Sequence, residues 1–171
     1  VAQGTSCVTA PGPDGPGDLA DPTARGVFAG LQATAAQLGW QVGDLEGLHV
    51  AIQGLGAVGG RVARHLLQAG ARVTVADVDP NAVDTFADAS EDPARVQRVA
   101  VEQITEVPCD IFAPCALGGV LDGDVVASLP ARAVCGGANN QAHDGATLSG
   151  LHRRGIWVAP AYDDTTGAHV H

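Results

Sequence analysis

Gly54, Gly56 and Gly59 stand as G-x-G-x-x-G in the stretch GLGAVGG, and Asp77 follows eighteen residues after the last of them. These residue types at this spacing suit the holding of a phosphate anion next to a sugar. A glycine at 54 permits a tight turn. Gly56 lets backbone approach a pyrophosphate, and Gly59 lets the following helix pack closely on a sheet. The N–H groups of the first turn, around Ala57, Val58 and Gly59, would face the phosphates together with the positive end of the helix dipole. Asp77 closes RVTVAD, the expected place for a carboxylate that accepts hydrogen bonds from the adenosine ribose hydroxyls. A 2′-phosphate there would meet a like charge, so NAD is expected rather than NADP. A purely structural turn is the plainer alternative. Context weighs against it, because the motif follows the apolar stretch LHVAIQ and opens a helical pattern. Asp79, followed by Pro80, reads as a helix N-cap.

Other reactive groups form no comparable pattern. All nine basic residues are arginines and there is no lysine, so chemistry that requires a lysine amine cannot come from this chain. The cysteines, Cys7, Cys109, Cys115 and Cys135, lack paired zinc spacing and read as reduced thiols. The histidines show no H-E-x-x-H, and His169 and His171 read as a tail rather than a metal site. No serine lies in a nucleophile-elbow context.

The elements that must position the glycine loop alternate in type. Val1 to Pro22 is rich in Gly, Pro and Asp and reads as a linker. From Thr23, the apolar positions Val27, Leu31, Ala35 and Leu38 recur at helical spacing, with Gly39 as a stop. Gly26 and Gly30, one turn apart, would let another element come close. LHVAIQ reads as a buried strand, Val58–Ala69 as a helix, RVTVAD as a second strand, and Pro80 to about Ala89 as a short helix. EDPAR reads as a loop, Val96–Val101 as a third strand, and CDIFAPC as a fourth. Asp122–Leu129 reads as a helix, ARAVCGG as a fifth strand, His143–Arg154 as a helix capped by Gly155, and IWVAP as a sixth strand. Strands alternating with helices predict an α/β protein, a Rossmann-like, doubly wound, mostly parallel six-stranded sheet. The expected organisation is a linker-like segment 1–22, one dinucleotide-binding domain 23–160, and a tail 161–171.

The totals fit one domain. The chain has 171 residues, of which 46% are apolar, enough to bury a core. Acidic residues outnumber basic ones 19 to 9, for a net charge of −10. That balance argues against nucleic acid and anionic membranes as partners. No apolar run reaches membrane-span length and no signal peptide opens the sequence, so a cytoplasmic location is expected.

With the loop placed, PTARGVFAG, LEGLHVAIQGLGAVGGRVA, CDIFAPCALGGVL, GGANNQ and GIWVAP become specific. Through them the chain resembles the nucleotide-binding domain of the glutamate/leucine/phenylalanine/valine dehydrogenase family, in the style of its leucine, valine and phenylalanine branch. The resemblance covers about Asp18 to Pro160. It implies that Thr23 opens the first helix and reaches the nicotinamide carboxamide; a helix cap is the simpler role. It implies that Cys115 and Ala116 lie beside the adenosine and ribose, where tight packing at a strand end is the simpler role. It implies that Ala138, Asn139 and Asn140 meet the nicotinamide ribose and the edge of the substrate, where capping of a loop is the simpler role. The implied parent reaction is oxidative deamination of an L-amino acid to a 2-oxo acid with NAD.

The pattern also departs from the family. Family chemistry takes a second domain with two lysines, one binding the substrate carboxylate and one activating water, and this sequence holds no lysine. An amino acid or 2-oxo acid is therefore an expected partner only where a catalytic domain is supplied. In APAYDDTTGAHVH, Tyr162 is kept, but Ala161 and Thr165 stand where the family has aspartate and asparagine. Three readings stay open: a cofactor domain that is inactive alone, a stand-alone redeployed or pseudoenzyme protein with a biosynthetic or partner-binding role, or a plain dinucleotide sensor without catalysis. In the stand-alone reading, a homo-oligomer or partner contact could cover surface near Cys115 and Asn140.

Overall fold

A computed structural model describes residues 19–116, 120–138 and 145–159 of the chain. Six strands alternate with helices: α1 (Ala20–Gln37), β1 (His49–Gln53), α2 (Gly59–Gln68), β2 (Arg72–Ala76), α3 (Pro80–Asp88), β3 (Val96–Arg98), β4 (Cys109–Pro114), α4 (Gly123–Ser128), β5 (Ala131–Val134), α5 (Gly145–Arg153) and β6 (Trp157–Val158). The strands form one sheet in the order β3-β2-β1-β4-β5-β6, and every ladder is parallel. The α/β, Rossmann-like, doubly wound reading of the sequence holds, with a fully parallel sheet.

Alternation along each strand divides the core in two. Val50 and Ile52 of β1, Val73 and Val75 of β2, and Ile111 and Ala113 of β4 face one way, against Leu31 and Ala35 of α1, Val62 and Leu66 of α2, and Phe86 of α3. Ala51, Ala76, Phe112 and Val134 face the other way, with Val126 of α4, Leu151 of α5 and Ile104. Burial on both faces explains why these strands read as apolar runs rather than as alternating ones. The core is built mainly from aliphatic side chains, with Phe112 the largest that is fully buried.

Local signals set several ends correctly. The Asp79 carboxylate accepts the Asn81 N–H at 3.0 Å, with Pro80 as the first residue of α3. Gly155 lies at φ +71° just past α5, and the Ile156 N–H donates to the Leu151 carbonyl at 3.0 Å, closing a Schellman turn. Other ends moved. α1 begins at Ala20, not Thr23: Pro22 falls in its first turn, where an absent N–H costs nothing, and Asp21 pairs with Arg25 at 2.9 Å. The third strand stops at Arg98 instead of Val101. The chain then forms a 3-10 helix over Val101–Glu106, which buries Ile104 under the sheet. EDPAR also carries a 3-10 turn, Pro93–Arg95. Of the close-approach glycines, Gly30 lies by Cys135, where an added Cβ would meet Sγ at 3.4 Å, whereas Gly26 has open space.

At the end of the sheet away from the glycine loop, His49 is buried with its Nε2 2.8 Å from Thr74 Oγ1. Burial lowers its pKa below the ordinary 6.5, helped by the Arg72 charge and opposed by Asp110 and the Pro108 carbonyl. The unfolded chain therefore binds the proton more readily. Stability that is complete above the unfolded pKa is lost as the pH falls through it. Urea unfolding should show stability falling between about pH 7 and pH 5, and falling less in His49→Gln. Equal slopes for the two proteins would remove His49 as the cause.

Candidate functional site

The order of the sheet reverses between β1 and β4, which leave the sheet to opposite sides. In parallel sheets this is where a crevice opens at the carboxyl ends of the strands. Backbone bonds continue past the strands and hold the rim of the crevice. The Gly54 N–H donates to Ala76 O at 2.8 Å, Cys115 N–H to Gln53 O at 2.7 Å, and Ala138 N–H to Pro114 O at 2.9 Å.

The glycine loop crosses this rim. Gly54 lies at φ +95°, and a Cβ there would stand 2.7 Å from the Ala116 nitrogen. Both facts require glycine. A Cβ on Gly59 would collide with Gly54 O and lie 3.0 Å from Cys115 Cβ, so α2 is drawn tightly against the exit of β4. Gly56 differs from both: it is exposed, and a Cβ there would meet nothing within 4 Å. Packing therefore does not require a glycine at 56, and the space beside it is open. The first backbone bond of α2 runs from Gly60 N–H to Gly56 O at 3.0 Å. The N–H groups of Ala57, Val58 and Gly59 thus lie at the open, positive end of the helix.

Asp77 follows β2 and is half-buried. Its Oδ2 accepts the Leu55 N–H at 2.6 Å and its Oδ1 the Asp79 N–H at 2.9 Å. The carboxylate thus stands against the glycine loop, where the spacing of the sequence put it. Cys115 and Ala116 are half-buried beside the loop. Burial pushes the Cys115 thiol up to about 11 and the Cys109 thiol up to about 12, and it raises that of Cys135. Neutral thiols are poor nucleophiles and poor metal ligands, so these cysteines act as packing groups.

Ala138 is buried on the rim, while Asn139 and Asn140 lie outside the described residues. A Cβ on Gly137 would touch Val27 and Val58 at 3.2 Å each, which brings α1 to the crevice. Thr23 sits one turn before Val27, but its hydroxyl donates to Leu19 O at 2.8 Å. It is neither the opening residue of α1 nor its cap, because the helix begins three residues earlier.

Next to the loop, a cleft of about 570 Å³ runs between α2 and α3, lined by Gly56, Ala57, Arg61, Arg64, Asn81 and Thr85 among others. Arg61 donates to Ala57 O, and the Arg64 guanidinium lies 5.7 Å from the centre of the Phe86 ring. Sequence reasoning named Gly56 and Ala57 but missed Arg61, Arg64, Asn81 and Thr85. The only signal was two arginines three apart on one face of α2. Among the described residues no group of three or more His, Cys, Asp or Glu could hold a metal ion, and no helix is long and apolar enough to cross a membrane. His169 and His171 fall outside them.

Comparison with known proteins places this geometry. The family model for glutamate/leucine/phenylalanine/valine dehydrogenase matches residues 15–168. A phenylalanine dehydrogenase from Thermoactinomyces intermedius is 41% identical over 148 residues, covering 86% of this chain and 40% of the relative. A valine dehydrogenase from Streptomyces virginiae is 42% identical over 157 residues, covering 91% of this chain and 43% of the relative. The crystal structure of L-tryptophan dehydrogenase from Nostoc punctiforme superposes with a TM-score of 0.77 at 36% identity, covering 86% of this chain and 44% of that one. The chain spans less than half the length of these relatives. With its matching sheet and glycine loop, the chain belongs to the glutamate/leucine/phenylalanine/valine dehydrogenase family.

Proposed function

We propose that this chain is the NAD-binding part of an amino-acid dehydrogenase, with residues 23–160 as the dinucleotide-binding domain, and that by itself it binds NAD without turning over an amino acid. The observation that carries the reading is Gly56. It is exposed at the open end of α2, has open space where a side chain would stand, and follows Leu55, whose N–H is held by the Asp77 carboxylate. A pyrophosphate fits that cradle, held by the N–H groups of Ala57, Val58 and Gly59. The Asp77 oxygens each keep a lone pair beyond the bond they already accept, enough for two ribose hydroxyls, and their charge disfavours a 2′-phosphate. Cys115 and Ala116 form the wall by the adenosine. Thr23, Ala138, Asn139 and Asn140 are assigned to the nicotinamide half on family resemblance.

Bound NAD would supply a hydride acceptor. The chain's own residues bind and orient it. The parent reaction is the reversible oxidative deamination of a branched-chain or aromatic L-amino acid to a 2-oxo acid and ammonia. Nothing in this chain offers the amine that family members use to activate water, because it holds no lysine. A complementary domain would have to provide that group, along with the substrate site.

Calorimetric titration of the purified chain with NAD should show saturable binding. The same preparation, given NAD and leucine, valine or phenylalanine, should form no NADH. Amino-acid-dependent NADH formation at an ordinary enzymatic rate would overturn the inactivity, and absence of any NAD binding would overturn the cofactor assignment.

A further inference from the structure

We infer that Asp77 is a positioning residue for the pyrophosphate loop, in addition to any bond it makes to a ribose; the inference rests on the NAD-binding reading above. One carboxylate ties two segments together. Oδ2 holds the Leu55 N–H at 2.6 Å inside the glycine loop, and Oδ1 holds the Asp79 N–H at 2.9 Å in the turn after β2. Both are charge-assisted bonds, the stronger class. Asp77 itself is placed by the end of β2, whose last residue, Ala76, accepts the Gly54 N–H at 2.8 Å. Two consecutive N–H groups of the loop, those of Gly54 and Leu55, are thus fixed from β2.

Two consequences follow. The Leu55 N–H is occupied, so it is not a phosphate donor, and the anion falls to the N–H groups beyond it at the end of α2. The loop is also ordered before a ligand arrives. Gly56 and Ala57 are exposed, and nothing packs where a Gly56 side chain would be. A loop so open would otherwise have to be ordered during binding, at a cost to affinity. Asp77 removes part of that cost, and this effect acts on ligands that lack the ribose hydroxyls as well as on NAD.

The test separates the two roles of the carboxylate. The full 171-residue chain, as wild type, Asp77→Asn and Asp77→Ala, is titrated with NAD and with its analogue carrying a 2′,3′-dideoxy adenosine ribose. A positioning role predicts that Asp77→Ala binds the dideoxy analogue roughly tenfold more weakly than wild type, the size of effect of one charge-assisted bond. Asp77→Asn, which keeps one acceptor oxygen, should recover part of the loss. Equal affinity of all three proteins for the analogue, with NAD still weakened in the variants, would overturn the positioning role and leave the ribose role standing. A wild type that binds neither ligand would overturn the cofactor reading and this inference with it. Should the variants fail to fold, amide hydrogen exchange of the unliganded wild type decides. The Leu55 N–H should be protected to the level of β1, and exchange as fast as that of an open loop would sink the proposal.

Discussion

Gly59→Ala should destabilise the chain by about 3 kcal/mol, at the upper end of what an added methyl costs in a packed interior. The unfolding midpoint should fall by roughly 6–12 °C. The added Cβ would collide with Gly54 O and crowd Cys115 Cβ at 3.0 Å. Neither wall can yield easily. Gly54 is bonded to Ala76 and Cys115 to Gln53 through their N–H groups, so moving either one breaks a ladder that continues the sheet. The cost is therefore steric and falls on the contact between α2 and the exit of β4. Gly26→Ala is the matching control. It lies inside α1, where an added Cβ meets nothing within 4 Å, and it should stabilise the chain by up to about 1 kcal/mol through helix propensity. Urea unfolding of the two variants checks both signs. A Gly59→Ala protein as stable as wild type would mean that α2 is not packed as described.

Gly56→Val should leave stability within about 1 kcal/mol of wild type and weaken NAD binding by roughly a hundredfold, about 2.7 kcal/mol. Folding and binding separate at this residue because a Cβ meets no protein atom and the backbone is not in the left-handed region. What stands beside that Cβ is therefore not protein. On the reading proposed above it is the pyrophosphate, whose close approach to the loop backbone leaves no room for a branched side chain. Calorimetry with NAD and thermal unfolding on the same sample give both quantities. NAD affinity unchanged by the valine would place the cofactor elsewhere. Lost affinity together with lost stability would remove the distinction between Gly56 and its neighbours Gly54 and Gly59.

The motif already gives the three loop glycines different tasks in the sequence: a tight turn at Gly54, close approach of backbone to a pyrophosphate at Gly56, and close packing of the helix at Gly59. In the structure, Gly54 is needed for its φ, Gly59 for the proximity of β4, and Gly56 for neither. The spacing of the loop and the position of Asp77 were legible because they belong to one strand–helix–strand unit, whose geometry is local. The Asp77–Leu55 bond was not legible, since a spacing of 22 residues says nothing about which N–H a carboxylate will accept. The same holds for Arg61, Arg64 and Asn81, which share a cleft only because α2 and α3 lie side by side. Thr23 shows the reverse error. Pro22 looked like the end of a linker, but a proline is tolerated in the first turn of a helix, so α1 took in three residues before Thr23. β3 fell short because an apolar run at the edge of the sheet was better buried by turning Ile104 beneath it.

The sequence by itself determined the alternation of strands and helices, the caps at Asp79 and Gly155, and the turn at Gly54. Periodicity, side-chain capping and backbone sterics act over a few residues and can be read in one dimension. Only the tertiary structure decided that β4 lies against β1, pairing Val50 with Ile111 and Gln53 with Pro114. That choice reverses the sheet order and opens the crevice, and it brings Ala116 against Gly54 and Cys115 against Gly59. It depends on burying both faces of the sheet at once, between segments some sixty residues apart, which no local pattern records.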